Sequence, residues 1–174
     1  MNIHHPGLDL PSSLEWAMKQ AYSQRITGSR HRATDVSVGP LHGFCFDNAI
    51  VLAELLENLP GYEPKIVCGA TKRVAPFYTD DGLPDDVTVV RDLAGYVHFW
   101  VETEDYHLEL SSESDPYYEE PLISASLPND FTRLDDSYEY GADLWRDVRN
   151  QGHLCPFCSG HRHRCGCPAS EQLD

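Results

Sequence analysis

Lysine is nearly missing from this chain: Lys19, Lys65 and Lys72 are the only three in 174 residues. Even with arginine counted, 13 basic side chains face 28 Asp and Glu, a formal net charge of −15. Such a surface repels nucleic-acid phosphates and anionic lipid heads, so general nucleic-acid binding is excluded from the expected functions. No apolar run approaches the ~20 residues of a membrane helix, so no membrane partner is expected. The start, MNIHHP, lacks a basic segment leading into an apolar one. A secretory signal is therefore not expected, and the cytoplasm is the expected location. Internal repeats are absent as well.

What remains fits one folded domain with a core of its own, since 41% of the residues are hydrophobic and 10% aromatic. The excess acid has two readings: attraction of basic substrates, or solubility and adaptation to a salty cytoplasm.

The first 11 residues read as an irregular lead-in. Ser12 and Ser13 can cap a helix over 14–22, with Leu14, Ala17, Met18 and Ala21 on one face. Residues 26–40 read as a loop. A second helix is expected over 45–58, ended by Pro60-Gly61. Its apolar surface is wide enough to be buried on more than one side. Residues 65–70 read as a strand, 76–86 as an acidic loop and 87–90 as a short strand. The clearest hairpin joins 96–101 to 106–110 through Glu104-Asp105. Residues 115–140 read as irregular, and 143–150 as a short helix. A helix, a central helix and then strands predict an α+β fold with an antiparallel sheet packed on the central helix.

The chemistry centres on Cys45, at the first turn of the central helix. Backbone N–H groups and the helix dipole stabilise a thiolate there, the nucleophilic form. His98 lies in the strand-like run VHFWV and can hold the complementary proton. The Glu104-Asp105 turn pairs Glu102 with His107 and Val101 with Leu108, which leaves Glu109 diagonal to His98 on the same face. Glu109 can then orient the imidazole through one ring nitrogen while the other faces the thiol. A slip of one residue would turn Glu109 away, and Asp115, followed by Pro116, is the substitute. The backbone N–H of Cys45 is the preferred oxyanion donor; His42 could help polarise an oxyanion but reads first as loop decoration, and Gln20 and Gln24 are further donors. Cys68, inside a strand, reads as core, and Trp100 as packing.

The run GFCFDNAIVLAELLENLPGYEPKIVCGA resembles the nucleophile segment of the transglutaminase-like superfamily, and VHFWVETEDYHLELSS resembles its histidine segment. The resemblance covers about residues 43–116. It implies a papain-like α+β fold, Cys45 as nucleophile, His98 as general base and acyl transfer through a thioester. The acidic member departs from the family pattern: Asp is usual, whereas this chain offers Glu109 by geometry and Asp115 by local motif. The implied function is a cysteine hydrolase or acyltransferase, of protease or amidase type, acting on a peptide or protein substrate. The implied bond is a peptide, isopeptide or side-chain amide. Two rival readings are a non-catalytic protein-binding module of the same fold, and an NlpC-like peptidoglycan hydrolase. The second fits poorly without an export signal and with Trp100 close behind His98.

Four of the six cysteines crowd near the end: Cys155, Cys158, Cys165 and Cys167. Four thiolates suit a closed tetrahedral zinc site, with His161 or His163 able to replace one of them. The expected organisation is therefore a transglutaminase-like domain over 1–150 and a tail over 151–174 held by structural zinc.

Overall fold

The computed structural model describes residues 2–5, 7–29, 45–71, 98–110, 121–129 and 131–154. Among the described residues three helices and five strands form an α+β domain: α1 Ser12–Ser29, α2 Cys45–Glu57, β1 Lys65–Thr71, β2 His98–Glu102, β3 His107–Glu109, β4 Leu122–Ser124, β5 Phe131–Arg133 and α3 Ser137–Asn150. The strands pair antiparallel in the order β4-β3-β2-β1-β5, and the sheet curls into a half-barrel.

The helical layer follows from apolar spacing. Leu14, Ala17, Met18 and Ala21 recur at helical intervals and are fully buried. Along α2 every residue from Asp47 to Ala53 is buried, because α1 lies on one side and β2 on another. These helices share a single core with Ile66, Cys68, Val101, Leu108 and Ile123 of the sheet. Cys68 is indeed core.

α3 closes the layer over β1. A Cβ at Gly141 would stand 1.8 Å from the Ile66 carbonyl oxygen, so the glycine is what lets this helix lie against the strand backbone. Trp145 and Arg149 each donate to Glu54 Oε1 at 2.6 Å, tying α3 to α2.

The hairpin has the register read from its turn. Thr103 N–H donates to the Tyr106 carbonyl at 2.9 Å, and Val101 faces Leu108 while Glu102 faces His107.

Elsewhere the structure corrects the sequence reading. α1 runs on through residues expected to form a loop. Ser13 hydrogen-bonds the Tyr62 hydroxyl at 2.9 Å, and the Pro11 carbonyl accepts the first amides of the helix. β4, β5 and the first turn of α3 occupy a stretch expected to be irregular. His4 bridges to Leu122, so the lead-in covers part of the β4 edge. The expected strand over 87–90 lies outside the described residues.

The zinc-bearing tail is also corrected. A structural zinc needs four converging ligands. Among the described residues no group of three or more His, Cys, Asp or Glu side chains is placed to hold a metal ion. Cys155, Cys158, Cys165 and Cys167 lie outside the described residues, as do His161 and His163. The zinc-bearing protease with a metal-held tail gives way to an α+β domain with no metal site among its described residues. Among those residues, too, no helix is long and apolar enough to cross a membrane.

Candidate active site

Side chains alternate along β2, and the alternation divides the candidate residues between two faces of the sheet. Phe99 and Val101 join the core under the helices, where Phe99 packs on Phe46 with ring centroids 4.9 Å apart. His98, Trp100 and Glu102 take the other face. There Val67, Trp100 and Phe131 form a separate apolar cluster. Phe131 meets Trp100 at 5.4 Å, His98 at 5.9 Å and His107 at 4.9 Å. Gly69, opposite His98 in the register, leaves room for the indole. A Cβ there would come within 2.5 Å of the Trp100 ring.

On this second face His98 and Glu109 meet. His98 Nε2 donates to Glu109 Oε1, and both side chains are only 2% exposed. The bond commits Nε2 to the carboxylate. His107 Nε2 stands 4.0 Å from the other carboxylate oxygen, Oε2. Burial pushes the His107 imidazole down to about 3; Glu102 pulls the other way, and electrostatic interaction with His98 and Arg133 adds to the depression. His107 is therefore neutral at physiological pH.

Glu102, at the far end of β2, is a fixed charge. Burial raises its affinity for a proton, yet hydrogen bonds from Arg133, Trp100 and Tyr138 outweigh that and hold it below the usual carboxylate range. It clamps β2 to β5 and α3.

Cys45 belongs to the helical face. Half-buried at the start of α2, it lines a small cleft of about 190 Å³, open mouth included, with Asn48, Ala49 and Leu52 of its own helix. That spacing is one stripe of α2, turned toward Phe99, Leu108 and Leu110. Glu109 and Trp100 also line this cleft, whereas His98 does not. The structure thus joins His98 to Glu109, and gives Cys45 and Glu109 a cleft in common. Asp115, the substitute orienter, lies outside the described residues, as does His42.

Two groups escaped the sequence reading. Arg25 is buried at 2% exposure and donates from Nε to Asn48 Oδ1 at 2.8 Å, bringing a guanidinium beside the stripe that carries Cys45. The signal was Asn48 itself, a polar residue on an otherwise apolar stripe three positions after the cysteine. The second is His107, two residues from Glu109 and so on the same face of β3. No family model, curated protein or solved structure matches the chain.

Proposed function

We propose that the protein carries out thiol-dependent acyl transfer or hydrolysis of a peptide, isopeptide or side-chain amide, as its resemblance to transglutaminase-like proteins implies. The observation that carries this reading is the buried His98–Glu109 pair. A carboxylate that fixes one imidazole nitrogen dictates the tautomer and frees the other for proton transfer. Cys45 would lose its proton to His98 Nδ1 and attack the amide carbonyl, with its own N–H toward the oxyanion. The amine leaves with that proton, and water or a second amine then cleaves the thioester.

One observation favours a second reading. His98 does not line the cleft that Cys45 shares with Glu109, as expected of a non-catalytic binding module that keeps the fold without the chemistry. Labelling with iodoacetamide at pH 6 separates the two, because an ordinary thiol of pKa ≈ 8.5 is almost wholly protonated there. The catalytic reading expects Cys45 to alkylate faster in the folded protein than in urea. Equal or slower labelling when folded would leave the binding module.

With glutaminyl and lysyl-isopeptide probes, Cys45→Ala and His98→Ala should abolish turnover while the fold survives. Glu109→Gln should lower turnover and leave labelling detectable. Full activity in Cys45→Ala would sink the nucleophile assignment.

A further inference from the structure

His107 is a buried titratable group that the chemistry above does not use. It is 2% exposed, it stands between Glu102 on β2 and Ser124 on β4, and neither ring nitrogen is within hydrogen-bonding distance of a partner. Trp100 and Phe131 wall it in, with ring centroids at 5.6 and 4.9 Å. An aliphatic side chain would fill this position without desolvating two nitrogens. What an aliphatic residue cannot do is face Glu109.

The Glu109 carboxylate has an imidazole on either side. Oε1 accepts from His98, and Oε2 lies 4.0 Å from His107 Nε2. That gap exceeds the 2.7–3.2 Å of a hydrogen bond, and a carboxylate shift of about 1 Å closes it. We propose that His107 is a positioning residue for Glu109: its Nε2–H closes on Oε2 and fixes the carboxylate rotamer that presents Oε1 to His98. Lying among aromatic rings, His107 stays neutral, so it supplies a donor without a second positive charge to repel the imidazolium of His98. Glu102, His98, Glu109 and Arg133 are the charged or titratable groups that face it from the neighbouring strands. The catalytic sense of this role rests on the thiol reading; the contact between His107 and Glu109 does not.

Ring-nitrogen NMR tests the contact in the wild-type protein. His107 should be the Nε2–H tautomer, and the Nδ1–H tautomer would overturn the proposal. Two variants test the consequence. His107→Phe keeps a ring against Phe131 and removes the donor, and His107→Gln restores an N–H. A carboxylate free to rotate stabilises the His98 imidazolium less. The titration midpoint of His98 should therefore fall by about 0.5 pH unit in His107→Phe, a roughly threefold loss of proton affinity, and recover in His107→Gln. An unchanged or raised midpoint in His107→Phe refutes the role. Should that variant fail to fold, the wild-type tautomer and the His107→Gln midpoint decide. Inactivity of the wild type toward every amide would remove the thiol reading and leave these NMR outcomes as they are.

Discussion

Along β3, three consecutive residues occupy two different environments. Leu108 points into the core beneath α2, among Val101, Ile123 and the helix side chains. His107 and Glu109, on either side of it, point to the opposite face, equally buried but among polar and aromatic groups. Burying Leu108 removes apolar surface from water and stabilises the fold. Burying an imidazole and a carboxylate costs free energy that their mutual contacts only partly offset. The helical face therefore holds the domain together, while the second face carries groups whose presence stability does not explain.

Leu108→Ala should give the largest effect on folding. The side chain is fully buried, and truncating such a leucine typically costs about 2–5 kcal/mol. Urea denaturation at pH 7 measures the loss. A cost below about 1 kcal/mol would mean that the helical face collapses freely around the gap and that the contrast between the faces is overstated.

Acid should act on the second face first. His107 binds its proton in the folded state only near pH 3, against 6.5 when unfolded. Between those values the unfolded chain holds more protons at this residue, so stability falls as pH falls, by up to about 1.4 kcal/mol per pH unit. Glu102 adds a later loss. Its folded value lies below 4.5, so its contribution is present above the unfolded value and disappears as pH drops through the folded one. Denaturation midpoints at pH 7, 6, 5 and 4 should decline more gently in His107→Phe than in the wild type. Parallel declines would show that His107 is not the neutral buried group responsible.

The helical face was the legible part of the sequence. Leu14, Ala17, Met18 and Ala21 announce α1 by spacing, and the apolar run after Cys45 announces α2, because burial against a core imposes the helical period. The hairpin was legible because a two-residue turn fixes register, and register alone brings Glu109 to His98. β4 and β5, at three residues each, are too short to carry a pattern and exist because neighbouring strands pair with them. Gly141 hid the start of α3: inside a helix it reads as a breaker, and its purpose, close approach to Ile66, is tertiary. Membership of one face or the other was visible for His98 and Glu109, but not the side of the sheet on which Cys45 would lie. That depends on how α2 docks, which no local pattern encodes.

The smallest effect on stability should come from replacing the central pair itself. In His98→Phe/Glu109→Leu, both members of a buried polar pair give way to apolar side chains of similar size. Exchanging such a pair for well-packed apolar groups is often neutral, or stabilising by about 1–4 kcal/mol, because two desolvation costs vanish together. Removing one partner is different: Glu109→Leu alone leaves the His98 ring buried without its acceptor and should be the less stable protein. The double variant is therefore expected within about 1 kcal/mol of wild type or above it. Denaturation of the two single variants and the double closes the cycle. A double variant several kcal/mol less stable than wild type would show that the pair is a structural element, and the division of labour between the two faces of the sheet would not hold.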